Sequence, residues 1–292
     1  MKNIQDNPVR LIELQNKYDL YKELSSRRRD PWGWNTDDKC DGLLFNSLWS
    51  VSGIDVDIMK AQDKKGKWHR HPAMNCYEAN ESGSEISRDM LVGLVLWIIT
   101  GERIIVLNDL IDYGESHSWV MGKGDISRTF VTCSLRSTIY LARYVLTGKD
   151  SFMRKIPRDW EKPFPLSMAT SQKGYSRHLQ MLHILALSFL RTPTERDKEV
   201  VEYHCKKQPR NALYHAINYR LFDKSALESA LAVLLDDSLF PSDTLPTSEN
   251  YKTPYLFQRD QEEIEAWKPS LDGKTHSAIE WLFATAIILG IL

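Results

Sequence analysis

Three stretches constrain this chain more than any others: MLVGLVLWII at 90–99, LQMLHILALSFL at 179–190 and IEWLFATAIILGIL at 279–292. Each is apolar on nearly every side when wound as a helix, and such a helix has to be enclosed by other helices. The final apolar run, Trp281–Leu292, falls short of the ~20 residues that span a membrane, so it reads as a buried last helix. A second set is amphipathic. TERDKEVVEYHCK at 194–206 carries one narrow apolar stripe and a charged back, and 8–28 and 223–236 are similar. That is the pattern of a helix with one face on a core and one in water.

The two kinds tend to follow one another. The segment 87–100 leads across one glycine to 102–113, and 176–191 leads across Thr-Pro to 194–206. The expectation is an all-α fold, a single helical domain over 1–292, with inner and outer helices in antiparallel hairpins. Helices are expected near 8–28, 41–52, 87–100, 102–113, 126–147, 176–191, 194–206, 210–221, 223–236 and 276–291. No run alternates as a strand does, and no Asn-Gly hairpin signal lies between apolar runs. Three long loops, 53–86, 148–175 and 237–275, each precede an inner helix. If the hairpins are antiparallel, these loops share one face. Loops this long are usually functional or disordered, and their Trp, Tyr, Pro and His content argues against disorder.

The inner helices begin on polar residues: Asp41, Ser87-Arg88-Asp89, Asp125-Ile126-Ser127-Arg128, Ser176-Arg177-His178, Arg210-Asn211 and Thr275-His276. Capping of the free N–H groups of a first turn accounts for Asp41, Ser87, Asp125 and Ser127. It does not account for Arg88, Arg128, Arg177 and Arg210, because a cation is unfavourable at a helix N-terminus. The arginines answer either to partner carboxylates or to a ligand in a polar pocket at the convergent helix ends.

Composition narrows the classes. Apolar residues make up 42% and charged residues 26% of 292, the balance of a soluble globular chain. A net charge of −1 with no basic block gives no general attraction to nucleic acid or anionic membrane. The polar, helical N-terminus lacks an apolar signal region, so the expected location is cytoplasmic, or exported without a cleaved signal. Cys40, Cys76, Cys133 and Cys205 form no CxxC pair and read as free thiols. WHRHPAMNCYE at 68–78 matches no zinc spacing, so its histidines read as surface loop groups and no metal is expected. GKGD at 122–125 lacks the rest of a phosphate loop, no GxSxG elbow is present, and no cofactor is expected.

SRDMLVGLVLWIITG with LIDYG (87–114) and LDGKTHSAIEWLF (271–283) resemble the inner-to-outer hairpins of the (α/α) toroid found in carbohydrate-active enzymes. The groups concerned are the (α/α)₆ glycoside hydrolases, including unsaturated glucuronyl hydrolases, and the toroidal polysaccharide lyases. The resemblance is one of architecture. It implies a complete or incomplete toroid with long loops on one face, and a glycan-cleaving activity there.

A glycoside hydrolase needs two carboxyl groups, about 5–5.5 Å apart for retention or about 6.5–9.5 Å apart for inversion. Asp89 is the candidate acid, Asp41 the candidate base and Asp125 a third option, with helix capping the alternative role for each. A lyase would need a carboxylate neutraliser and a Tyr or His base. Asn211, His215, Tyr175, His178 and Arg177 offer that set. The expected substrate-binding residues are Arg88, Arg128, Tyr175, Arg177, His178, Asn211 and His276, with Trp34, Trp68, Tyr77 and Trp119 as stacking rings. The partner expected is an oligo- or polysaccharide, hydrolysed rather than eliminated. The competing readings are a helical structural or adaptor component of a larger assembly, and a toxin or effector with an unrecognised site. Oligomeric state is not legible.

Overall fold

The structure, a computed structural model, describes residues 7–35, 41–74, 84–124, 128–157, 174–247, 257 and 274–292. These residues are mostly helical. The helices are α1 (Asn7–Ser26), α2 (Gly42–Val51), α3 (Arg88–Thr100), α4 (Ile104–Ser116), α5 (Cys133–Thr147) and α6 (Asp150–Met153). They continue with α7 (Gly174–Ser188), α8 (Glu195–Lys207), α9 (Ala212–Leu221), α10 (Ala226–Leu234) and α11 (Ile279–Ile288).

The apolar stretches are enclosed as their composition requires. Every residue of α3 from Met90 to Ile99 is buried, as is every residue of α11. α2 is buried over Gly42–Trp49 and α9 over Ala212–Asn218. α2 packs on α3 and α11, α3 on α7, and α9 on α7 and α11. Burial of one Leu or Ile side chain contributes about 1.5–3 kcal/mol, so these contacts form the main stabilising core. The amphipathic helices flank it: α1 and α10 against α11, α4 and α5 against α3, α8 against α7 and α9.

Helix directions follow from named contacts. Leu44 lies against Gly93, and Trp97 Nε1 donates to Ser50 Oγ at 3.2 Å, so α2 and α3 run the same way. The ends of α2, α3, α5 and α7 and the residues after α11 all line one cleft, at Val51, Thr100, Leu146, Leu190 and Ile291. Of the flanking helices, α8 and α10 run the other way. His204 near the end of α8 pairs at 2.8 Å with Gln180 in the middle of α7, whose own end leads by a short turn to the start of α8, and Trp281 in the first turn of α11 donates to the last carbonyl of α10, Leu234, at 3.1 Å.

Two small antiparallel hairpins correct the expectation of no strands. β1 (Gln62–Lys64) pairs with β2 (Lys67–Trp68), and β3 (Val120–Lys123) with β4 (Arg128–Phe130). Consequently α5 begins at Cys133, not near 126. Thr132 caps it by accepting from Leu135 N. Before that cap, Arg128 and Phe130 are exposed while Thr129 is buried, the two-residue alternation of a strand. Arg128 is therefore a strand residue, not a helix-start arginine. The expected helix-start residues Asp125 and Ser127, with Cys40, Cys76 and Tyr77, lie outside the described residues.

No helix among the described residues is long and apolar enough to cross a membrane.

Candidate active site

The starts of α2 and α3 form one mouth. Leu44 is level with Gly93, so Asp41, three residues earlier, stands at the level of the first turn of α3, which carries Asp89. Arg70 ties this mouth together. Its Nη1 lies 3.4 Å from Asp41 Oδ1, its Nε donates to Ser84 O at 2.6 Å, and its amide donates to Glu85 O at 2.9 Å. Its own carbonyl accepts from Leu43 N at 2.7 Å. The β3–β4 hairpin docks on the same strip. Glu85 N donates to Lys123 O at 3.2 Å, and Thr129 Oγ1 donates to Ile86 O at 2.5 Å. Gly122 permits this approach, since a Cβ there would stand 2.7 Å from Ile86 Cγ2. Asp89 accepts from the Ser87 hydroxyl.

Side-chain capping does not explain Asp41, while Asp89 is the acid of the first turn of α3. Where this chain caps a helix, the geometry is explicit: Thr194 and Asp197 form a reciprocal capping box on α8, Thr132 caps α5, and Asn211 caps α9 by accepting from Tyr214 N at 3.3 Å. Asp41 sits at the N-cap of α2 and Ser87 at that of α3, yet neither side chain makes a cap bond. Asp41 turns to Arg70, and Ser87 turns to Asp89. Both acids are half-buried at the protein–solvent boundary.

The helix-start arginines do not converge on a buried charge. Arg88 and Arg210 are exposed, Arg128 is exposed on β4, and Arg177 is half-buried near His204. The expected stacking rings are also displaced. Trp34, Trp68 and Trp119 are 0%, 1% and 7% exposed, so they pack in the core and present no free face to a sugar. Trp119 meets Tyr140 edge-on and Trp34 meets His71 edge-on. Trp32, near them in sequence and 39% exposed, meets His71 edge-on as well.

Several of the residues suited to elimination are engaged with other partners. Asn211, besides capping α9, donates from Nδ2 to Gln208 Oε1 at 2.7 Å and to Phe257 O at 2.8 Å, which occupies its amide. His215 bonds the Pro209 carbonyl at 2.9 Å. Tyr175 is exposed. His178 is enclosed, with Nε2 2.5 Å from Oε1 of Glu280 and both side chains fully buried. His276, in the segment leading into α11, is buried too. That burial, with Arg28 and Lys274 nearby, pushes its pKa down to about 4.

Glu280 was not legible as a site residue, although it is the one acid within an otherwise apolar run. WHRHP also differs from expectation. Neither histidine is a surface group: His69 is 5% and His71 1% exposed. His71 Nδ1 accepts from Ala73 N at 3.1 Å, which leaves Nε2 to donate to Asp30 Oδ2 at 2.7 Å. His69 stands beside Asp63 instead, at 3.6 Å.

No family model, curated protein or solved structure matches this chain.

Proposed function

We propose that the chain is a glycan-cleaving enzyme, a glycoside hydrolase working at the loop-bearing mouth of an (α/α) toroid. What supports this reading is the placing of Asp41 and Asp89 at the starts of two neighbouring parallel helices, where the Asp41 side chain makes no cap bond. The parallel inner helices, flanked by α8 and α10 running the other way, support the toroid. Helices packed side by side have axes roughly 8–10 Å apart. That spacing suits a carboxyl pair of the inverting type, about 6.5–9.5 Å apart with room for a water between. In this scheme Asp89 protonates the leaving oxygen and Asp41, oriented by Arg70, activates the water. Arg88 and Arg177 contact the chain, and Asp125 is the third carboxyl candidate. Elimination is disfavoured because Asn211 and His178 are committed to other partners.

The test is an assay of wild type and Asp89→Asn on a panel of bacterial and plant polysaccharides, reading reducing ends and absorbance at 235 nm. The expected result is new reducing ends without ultraviolet absorbance, lowered at least about 100-fold by Asp89→Asn, the scale of general acid catalysis. Absorbance at 235 nm would replace hydrolysis by elimination. Silence of the wild type across the panel would favour a structural component instead.

A further inference from the structure

Beside the mouth, a cleft of about 600 Å³ opens between the β1–β2 hairpin, the last turn of α4 and β3. Its lining concentrates positive charge on a chain whose net charge is −1: Lys64, Lys65, Lys67 and Lys123 against Glu85 and Asp112. Lys67 is neutralised, with Nζ 2.9 Å from Glu85 and 3.4 Å from Asp63. Burial works against charge on Glu85, but the bonds from Lys67 and the Lys123 amide outweigh it and hold the carboxyl below its usual range. Lys64, Lys65 and Lys123 have no carboxylate partner among the described residues.

This arrangement is held, and it opposes local stability. Lys64 and Lys67 are direct cross-strand partners, a like-charge pairing that weakens a ladder. Between them Gly66, at φ +74°, lets the hairpin press on α4 so closely that a Cβ would stand 1.9 Å from the Asp109 carbonyl oxygen. The lysines are thus fixed on a packed hairpin, not on a loose loop. Opposite them Tyr113 and His117 stack at 4.0 Å, with the His117 ring exposed, which offers a flat face beside the ammonium groups. Glu85 joins the cleft to the mouth, four residues before Asp89.

We propose that this cleft is a binding subsite for anionic sugar residues, with Lys64, Lys65 and Lys123 holding carboxylate or sulfate groups and His117 offering its face to the ring. The substrate class is then an acidic glycan, an inference that rests on the glycan-cleaving reading.

Binding is measured apart from cleavage, by calorimetric titration of the full chain with polygalacturonate, a sulfated glucan, neutral dextran and inorganic polyphosphate. The variants are Lys64→Gln/Lys65→Gln/Lys123→Gln, Asp89→Asn and the two combined, and unfolding curves confirm that all fold. The expected result is saturable, salt-sensitive binding of polygalacturonate or the sulfated glucan. The triple lysine substitution weakens it at least tenfold in the wild-type and the Asp89→Asn background alike, and dextran does not bind. Unchanged affinity in the triple variant overturns the subsite. So does polyphosphate binding as tightly as the glycans, which would make it a site for bare charge. If acidic glycan binds through the lysines but no glycan is cleaved, the hydrolase reading fails and the anionic site stands. If glycans are cleaved and the lysines do not matter, the reverse holds.

Discussion

At the residue scale, Asp30 and Asp41 are two acids with opposite uses. Asp30 Oδ1 accepts from the amides of Trp32 and Trp34 at 2.9 and 2.8 Å, and Oδ2 receives His71 at 2.7 Å. Every lone-pair direction that matters locally is used, so this pair is a structural pin between the segment after α1 and the one before α3. Replacement Asp30→Ala leaves those donors without an acceptor and is expected to cost about 3 kcal/mol, read as a fall in the urea midpoint. Wild-type stability in Asp30→Ala would contradict this. His71 reads as a surface group in the sequence because its own neighbours are polar. What buries it is a carboxylate 41 positions away, which no local pattern reveals. Asp41 was legible because it opens an apolar run, but its release from capping duty depends on Arg70, which is visible only in three dimensions.

At the element scale, the mouth exists because α2 and α3 pack closely in register. Gly93 sets that approach: a Cβ would meet Leu44 Cδ1 at 2.8 Å and Leu44 Cα at 3.2 Å. Gly93→Ala places a methyl against backbone as well as side chain, and is expected to destabilise by about 1–3 kcal/mol, measured as a lowered Tm. It should also reduce any glycan cleavage by shifting Asp41 relative to Asp89. A Gly93→Ala protein as stable and active as wild type would mean the register is loose. Helix positions were legible here because all-round apolar runs and capped amphipathic runs are strong periodic signals. The hairpins were not, since β1–β4 are two to four residues long and are held by bonds to Met59 and to Ser84–Ile86, not by alternation. α6 is likewise too short to carry a period.

At the scale of the whole molecule, burial of polar groups against the inner helices makes stability pH-dependent. His204 and His276 are 0% and 3% exposed. Burial first, then Arg177 beside His204 and Arg28 and Lys274 beside His276, push both pKa values from 6.5 to about 4. A histidine depressed in the folded state is neutral there while the unfolded chain takes up a proton. Its contribution is complete above pH 6.5 and is lost as the pH falls towards 4, at up to about 1.4 kcal/mol per pH unit for each group. Urea unfolding at pH 7.5 and pH 5 is expected to give a markedly lower midpoint at pH 5. His276→Gln, which removes one titration, should flatten that difference, and an unchanged pH dependence would contradict the assignment. The mostly helical class was legible in the sequence. The interior positions of Trp34, Trp68, His178 and Glu280 were not, because each is buried by elements distant in the chain.

The proposed hydrolase needs the Asp41 carboxylate for chemistry and not for helix capping, and glycan cleavage and Tm of Asp41→Ala beside wild type separate the two roles. Cleavage is expected to fall at least about 100-fold with Tm almost unchanged. A Tm lowered as by the loss of a cap, about 1 kcal/mol, with cleavage kept within a few-fold of wild type, would contradict it.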